Sequence, residues 1–266
     1  MKCLIPLIVT PVLFAFFPST EKKWLSADSP TYRLNFTVAD QQNVAAYRKI
    51  IENGLVSTKQ FFSEAFTKKF DVWVHPDRNS LDSTWSTDWH LPGFKSACWM
   101  VASGVATRLD LISPKEWDLL SCEHTYNDTV QTQRLITHEL VHVFHGQHNV
   151  SSDFNDTEKI DWFVEGLATW ASGQFDSARL HAVAQTIRNG EVPVTLDSFW
   201  TGNLKYALSG SVVGFIDKKY GRNMIRQLLV YNKKQQILTA LNSTEEQLLA
   251  AWKTHILSVS PGATGP

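Results

Sequence analysis

The chain has 266 residues, and its 25 basic residues nearly balance its 26 acidic ones, which gives a formal net charge of -1. A hydrophobic content of 43% is too high for a disordered chain, and the composition shows no repeat or low-complexity bias. The balanced charge offers no general attraction to nucleic acid or anionic lipid, so we expect the partner to be a small molecule or a peptide.

The first 20 residues have the pattern of a secretory signal peptide. Lys2 precedes an apolar run over residues 3–17, and the chain turns polar and charged from Pro18 onward. A run of about 15 apolar residues suits a signal better than a membrane-spanning helix. Because no pair of small residues marks a cleavage site before Glu21, a signal anchor is the alternative. We therefore expect a secreted, periplasmic or other extracellular protein, without stable membrane insertion once the signal is cleaved.

The chain that follows this segment contains two cysteines, Cys98 and Cys122. In an oxidising compartment we expect one disulfide between them, and two buried free thiols are the alternative. The triplet Asn-x-Ser/Thr, which accepts N-linked glycans where the host attaches them, also recurs along the chain. Its positions are Asn35, Asn127, Asn149, Asn155 and Asn242.

The N-terminal half mixes strand-like and helical patterns. Residues 32–38 and 70–75 alternate apolar and polar side chains as strands do, and residues 43–66 repeat apolar side chains at helical spacing. A loop rich in Trp, Asp and Ser follows. Residues 97–112, with a Ser-Gly pair near their middle, predict a hairpin or a bent edge strand.

From Val130 to the C-terminus the pattern is almost wholly helical, and no low-complexity linker separates the two halves. We therefore predict an α+β fold with a single domain over residues 21–266. A mixed α/β lobe over residues 21–129 packs on a mostly helical lobe over residues 130–266.

The chemistry concentrates at the boundary between these halves, where residues 138–142 read His-Glu-Leu-Val-His. Residues four apart on a helix differ by about 6 Å of rise, so His138 and His142 can converge on one tetrahedral Zn²⁺ ion. Glu139 projects about 100° around the helix from His138, toward the open coordination position. There it can take a proton from a water whose pKa the metal has lowered toward about 7. The alternative is a helix that carries two His and a Glu by chance.

Two histidines do not complete a zinc site. Residues 161–170 have helical spacing and follow a Ser/Asn/Asp-rich segment suited to reversing the chain and capping a new helix. Gly166 and Ala168 are small, which lets this helix approach the first one closely enough for Glu165 to reach the metal. Glu165 is the predicted third ligand, and a solvated helix carboxylate is the alternative.

These motifs resemble the gluzincin metallopeptidases of the peptidase MA clan, especially the compact peptidase-MA-like bacterial and secreted forms. The resemblance rests on the His-Glu-x-x-His segment followed by a helix that reads Glu-Gly-Leu-Ala at residues 165–168. It extends more loosely into residues 206–221 and a terminal helix, and covers residues 130–257.

The resemblance implies a zincin-like fold in which His138, His142 and Glu165 hold one Zn²⁺ ion. Glu139 would act as general base and acid in the hydrolysis of peptide bonds. The resemblance also implies a tyrosine that hydrogen-bonds the oxyanion, which by position is Tyr206, whereas a Tyr packed at a helix start is the alternative.

This chain departs from thermolysin-like relatives at Thr169, because those relatives often carry an acidic residue one turn after the ligand Glu. The groups that orient the histidine ligands are therefore not identified by the sequence. A rival, metzincin-like site would use His148 as third ligand, but the Gly that it requires is replaced by His145, with Gly146 one place late. His145 itself is expected either to support the ligands or to line the cleft.

The resemblance further implies that an extended substrate lies antiparallel to an edge strand above the active-site helix. Residues 97–111 are the candidate strand, and an ordinary inner hairpin is the alternative. Trp85, Trp89 and Trp99 are candidates for the floor of a substrate pocket, although such residues more often belong to a core.

The sequence therefore predicts a secreted zinc metallopeptidase whose partner is a peptide or protein substrate and not a nucleic acid. The alternative class is a catalytically silent zinc-binding protein on the same scaffold. Glu139 argues against that alternative, because a silent relative has no chemical need for the base.

Overall fold

The computed structural model describes residues 23–260 of the chain. Five strands in this range form one mixed sheet in the spatial order β1-β2-β3-β5-β4. The strands are β1 (Trp24–Asp28), β2 (Tyr32–Thr37), β3 (Phe70–His75), β4 (Ala102–Val105) and β5 (Arg108–Ile112). Strands β2, β3 and β5 run parallel, whereas the outer strands β1 and β4 pair antiparallel with β2 and β5. The predicted mixture of helices and strands is confirmed.

The helices of the described residues dominate the second half of the chain. They are α1 (Val44–Phe62), α2 (Arg78–Asp88), α3 (Trp117–Leu120), α4 (Thr129–His148), α5 (Asp161–Ala171), α6 (Ser177–Arg188), α7 (Lys205–Tyr220), α8 (Arg222–Leu228), α9 (Lys234–Ala240) and α10 (Glu245–Val259). Short 3-10 segments cover Val38–Asn43, Pro114–Glu116 and Leu196–Trp200.

The helix predicted over residues 43–66 is present as α1, but it stops earlier than the apolar pattern suggests. Its last residue is Phe62, because Ser63 adopts the left-handed conformation with φ of 55°. A left-handed residue directly after a helix ends the run of backbone hydrogen bonds.

The segment between β3 and β4 was expected to be a loop throughout, and this expectation is wrong for residues 78–88. They form α2, whose first turn is capped by Asp77, since its side chain accepts a hydrogen bond from the Ser80 backbone N–H at 2.8 Å. Only Leu81 and Trp85 give the helix a buried apolar side. Two apolar residues are too few to show a helical period in the sequence, so the helix was not predicted.

The hairpin predicted over residues 97–112 is present over residues 102–112. The position of its two strands shows which of them lies at the edge of the sheet. Strand β5 lies inside the sheet between β3 and β4, whereas β4 is the terminal strand of the sheet. Of the candidate edge strand at residues 97–111, residues 102–105 are confirmed as an edge strand, whereas residues 97–101 form no strand and residues 108–111 lie inside the sheet.

Helix α4 lies between two apolar clusters. Leu135, Ile136, Leu140 and Val143 pack with the sheet, α1 and α2, while Val141 and Phe144 pack with the C-terminal helices. Because one helix supplies side chains to both cores, its position is fixed from two sides.

Helices α5 and α7 pack closely against each other at Gly166. A Cβ on Gly166 would lie 2.5 Å from the backbone oxygen of Ser209, so only glycine allows the two backbones this near. The sequence predicted that small residues of α5 would face α4, and for Gly166 this is wrong, because it faces α7. Glu165, its neighbour in sequence, is left to face α4.

The predicted disulfide is present in the structure. Cys98 and Cys122 form a disulfide, which points to an oxidising compartment. Among the glycosylation candidates, Asn35 and Asn149 are buried in the folded chain. The exposed candidates are Asn127, Asn155 and Asn242.

Residues 1–20, predicted as a signal peptide, lie outside the described residues. Among residues 23–260 no helix combines the length and the apolar character needed to cross a bilayer.

Candidate metal centre

Two histidines of α4 face each other at the boundary between the lobes. Asp128 caps the helix, its side chain accepting from the Gln131 backbone N–H at 3.0 Å, and residues 138–142 lie well inside it. His138 and His142 stand one turn apart, with their Nε2 atoms 3.0 Å from each other. Both side chains are buried. The two ring nitrogens therefore point at one spot, as the spacing predicted.

The structure brings Glu165 to the same spot. Its Oε2 lies 3.3 Å from Nε2 of His138 and 3.5 Å from Nε2 of His142. The segment over residues 149–160 reverses the chain between α4 and α5, which puts this carboxylate opposite the two rings.

The donor set and its spacing fit a small divalent ion. The ligand atoms of His138, His142 and Glu165 all lie within 4.8 Å of one another, so the group can hold a metal ion. Bonds of about 2.0–2.1 Å in a tetrahedron place ligand atoms about 3.3–3.4 Å apart. The measured spacings of 3.0, 3.3 and 3.5 Å cluster around that value. Two imidazoles and a carboxylate are also ligands that Zn²⁺ uses in proteins.

Electrostatics favour an ionised Glu165. Burial alone raises the pKa of this carboxyl, but His142 and His138 outweigh burial and hold the pKa well below its usual range. Burial likewise lowers the pKa of His142, yet the charges of Glu165 and Glu139 reverse that effect and raise it. The carboxylate that a metal requires is thus present without any metal.

Glu139 is buried beside the ligands and does not belong to the group of three. The pKa of its carboxyl is raised overall, mainly because the side chain is buried. The charge of Glu165 adds to this rise, whereas His138, His142 and the backbone N–H of Gly104 oppose it. A carboxylate with a raised pKa in a buried site is a better proton acceptor than one in water.

Strand β4 touches helix α4 at Gly104. A Cβ there would lie 2.3 Å from the Glu139 backbone oxygen, so glycine is required for this approach. The sequence indicated only that a glycine at this position permits a bend.

The orienting partner that the sequence did not identify is Gln174. Its Oε1 lies 3.0 Å from Nδ1 of His138, so the amide oxygen can accept the Nδ1–H and leave the Nε2 lone pair for a metal. Thr169, where an acidic residue was sought, is instead buried against Gly210. Gln174 follows Gly173, whose φ of 75° ends the α5 region. A helix-ending glycine is visible in the sequence, but the direction of the next side chain is not.

Tyr206 joins the site from α7. Its ring packs edge-on against His138 with centroids 6.0 Å apart. Burial, with smaller contributions from Glu165 and Glu139, raises the pKa of its phenol, so the hydroxyl keeps its proton and can donate a hydrogen bond.

His148 is not brought to the candidate metal centre. Its Nδ1 lies 2.8 Å from the Phe144 carbonyl oxygen, and its Nε2 lies 3.1 Å from Glu64. These contacts use both ring nitrogens on the other side of α4, away from the ligand group, so the structure gives no support to a metzincin-like ligand set.

His145 neither supports the ligands nor lines the cleft, and that expectation is wrong. Its ring is fully buried against Phe154 and Phe163, with centroids 5.0 and 5.7 Å away. Three residues after His142, it belongs to the face of α4 that meets the C-terminal helices.

A cavity of about 530 Å³ opens over the metal centre. Residues 100–105, which include β4, form one wall, and Tyr206 belongs to another. Trp85, Trp89 and Trp99 all line it, as predicted. The disulfide joins two stretches of this lining, because Trp99 follows Cys98 and Glu123 follows Cys122.

No family model and no curated protein matches this chain. The case for its function therefore rests on the geometry of the site.

Proposed function

We propose that the chain is a zinc-dependent metallopeptidase of the zincin-like, gluzincin type. The observation that carries the proposal is the convergence of His138, His142 and Glu165 on one point, with the buried carboxylate of Glu139 beside them. A Zn²⁺ ion held there would polarise the scissile carbonyl and lower the pKa of water.

Glu139 moves the proton in this mechanism. Its carboxylate accepts a proton from the water that attacks the peptide carbonyl, and it then delivers that proton to the leaving amine. The raised pKa of Glu139 suits both steps, because the group must release the proton as well as accept it.

Tyr206 stabilises the negative charge that develops on the carbonyl oxygen. The phenol beside His138 keeps its proton, so it donates a hydrogen bond to that oxygen. Such a donor contributes about 3–4 kcal/mol when it is well placed.

Strand β4 supplies the substrate platform. Its pairing with β5 leaves its other side without a strand partner among residues 23–260, and it borders the cavity above α4. A peptide that adds to this edge gains main-chain hydrogen bonds along an extended conformation. That conformation presents its carbonyls to the region of Glu139.

The direct test combines metal analysis with digestion of a peptide library, with and without a chelator. We expect one zinc per chain and cleavage that the chelator abolishes. Zinc without chelator-sensitive cleavage would favour the catalytically silent alternative.

Single substitutions separate the roles at the site. We expect Glu139→Gln to retain zinc and to lower kcat by at least about 100-fold, because it removes the general base. Glu165→Ala should lose zinc, whereas the matched control His148→Ala should keep it. Unchanged turnover in Glu139→Gln would remove this residue from the mechanism.

A further inference from the structure

Lys205 stands among aromatic side chains on the wall of the cavity above the metal centre. Its Nζ lies 4.6 Å from the ring centroid of Trp99, 4.4 Å from Trp200 and 5.2 Å from Tyr206. An ammonium within about 6 Å of a ring centroid is attracted to the negative face of the ring. Three such contacts hold the charge beside Tyr206, whose ring packs on His138.

Apart from the three ring contacts, the fold gains little local stability from a cation at this position. No carboxylate forms an ion pair with Lys205 in the described part of the chain. Lys205 is also the first residue of α7, whose first turn contains no acidic residue and whose N-cap, Leu204, offers no capping side chain. The positive end of a helix dipole repels an ammonium, so this placement opposes helix stability.

Arg179 of α6 brings a second cation to the same cavity. Its guanidinium donates to the backbone oxygen of Gln174 and has no ion-pair partner within residues 23–260. The carboxylate of Asp176 accepts a hydrogen bond from the Arg179 backbone N–H at 3.1 Å and pairs with Arg134 at 3.6 Å. Its charge also acts on the Arg179 guanidinium, but the two side chains form no direct ion pair. A guanidinium has five N–H donors, so most of those of Arg179 remain for a ligand.

Five acidic residues also line the cavity, and none of them forms an ion pair with Lys205 or Arg179. Two of the five, Glu139 and Glu165, belong to the candidate metal centre. Asp153 adjoins Phe154, which packs on His142, and Asp161 lies one turn before Glu165. Glu123 is exposed, and no ion pair joins it to either cation. Two cations on the walls of one cavity, neither of them in a direct ion pair with a carboxylate, favour an anionic ligand group.

We propose that Lys205 and Arg179 form a carboxylate-binding subsite for the substrate, an inference that rests on the peptidase function proposed above. Only the ring of Tyr206 separates Lys205 from His138. The centroid of that ring lies 5.2 Å from Nζ of Lys205 and 6.0 Å from the centroid of the His138 ring. Because one extended residue spans about 3.3 Å, the carboxylate belongs within about three residues of the scissile bond. It is either an Asp or Glu side chain or the C-terminal carboxylate of the peptide.

Matched peptides test the proposal with the wild-type protein. They carry Glu or Gln at each position that flanks the cleaved bond, and each is made with a free and with an amidated C-terminus. We expect kcat/KM to favour the carboxylate member of one such pair by at least about tenfold. The pair that shows the preference identifies the source of the carboxylate. Equal kcat/KM across all pairs would overturn the subsite.

Variants assign the preference to the two cations. Lys205→Met and Arg179→Met should each reduce the ratio of kcat/KM between the paired peptides, and Lys205→Arg should restore it. Lys219→Met is the matched control, because Lys219 lies on the same helix over the rings of Phe215 and Tyr220 and does not line the cavity. The control should keep the wild-type ratio. Wild-type ratios in both Met variants would contradict the inference.

A binding measurement separates this inference from the peptidase proposal. The same peptides are titrated into zinc-loaded protein that carries Glu139→Gln, with tryptophan fluorescence as the readout, since Trp99 and Trp200 surround Lys205. Tighter binding of the carboxylate peptides that is lost in Lys205→Met supports the subsite even if no peptide is cleaved. Equal binding of both members of every pair rejects it, whatever the activity.

Discussion

Among single residues, Gln174 contacts a candidate metal ligand, His138, without belonging to the ligand group itself. Its amide oxygen lies 3.0 Å from Nδ1 of His138 and so fixes which ring nitrogen carries the proton. The group that orients His138 is thus a neutral amide. A carboxylate in the same position would make the imidazole more basic. The site therefore combines an ionised ligand, Glu165, with an uncharged orienting group.

We expect Gln174→Ala to weaken zinc binding by about 10- to 100-fold, because His138 loses the partner that orients it. Gln174→Glu should tighten binding relative to Ala, since a carboxylate accepts the same hydrogen bond more strongly. Affinity is measured by competition with a chromophoric chelator. Gln147→Ala is the control, because Gln147 bonds the Thr67 and Lys68 backbone N–H groups and touches no ligand. Equal affinities in Gln174→Ala and Gln147→Ala would show that the contact does not support the metal.

Among elements, the contact of β4 with α4 brings the edge strand next to the helix that carries His138 and His142. Gly104 allows that approach, because its Cα faces the Glu139 backbone oxygen. The same residue donates its backbone N–H toward the Glu139 carboxylate and lowers its pKa. Gly104 thus affects both the position of β4 and the pKa of the Glu139 carboxyl.

Gly104→Ala should destabilise the protein by about 1–3 kcal/mol and lower activity, because the backbone of α4 cannot yield to a Cβ 2.3 Å away. Gly54→Ala makes a useful comparison: its Cβ would meet the end of the Leu140 side chain, and alanine also favours its helix. We expect a smaller loss there. Urea unfolding gives the free energy of unfolding of each variant. An equal loss in Gly104→Ala and Gly54→Ala would mean that the contact of β4 with α4 tolerates a Cβ as well as the Leu140 side chain does.

The sequence predicted the parts of this site that depend on helical spacing. His138 and His142 converge because they are one turn apart, and Glu165 follows from a second helix after a reversing loop. It did not predict Gln174, whose role depends on the exact exit direction of the chain after α5. It also missed α2, where two apolar residues in eleven leave no period to detect. Both failures concern positions fixed by tertiary packing.

At the scale of the whole molecule, α4 joins the two lobes, and its buried face toward the C-terminal helices carries an ionisable group. His145 packs between α4 and the rings of Phe154 and Phe163. The pKa of His145 is lowered to about 3, mainly because its ring is buried. Repulsion from His142 and His148 adds to this lowering, and the Leu229 carbonyl opposes it. The ring is therefore neutral in the folded protein at all pH values where the protein would function.

This histidine should make the junction between the lobes sensitive to acid. An unfolded histidine takes up a proton below about pH 6.5, whereas the folded one does so only near pH 3, so the unfolded state binds more protons in between. The free energy of unfolding therefore falls as pH drops from about 6.5 toward 3, by at most about 1.4 kcal/mol per pH unit from this group. Above pH 6.5 both states are neutral and the contribution vanishes.

Urea unfolding of metal-free protein between pH 4 and 8 checks this prediction, because a chelator removes the separate effect of metal release. Wild type should lose stability more steeply below pH 6.5 than His145→Gln, even if the variant is less stable overall, since only the slope reports the linked proton. His181→Gln controls for the loss of one exposed imidazole and should keep the wild-type slope. Parallel curves for wild type and His145→Gln would mean that the buried ring can take up its proton without unfolding the junction.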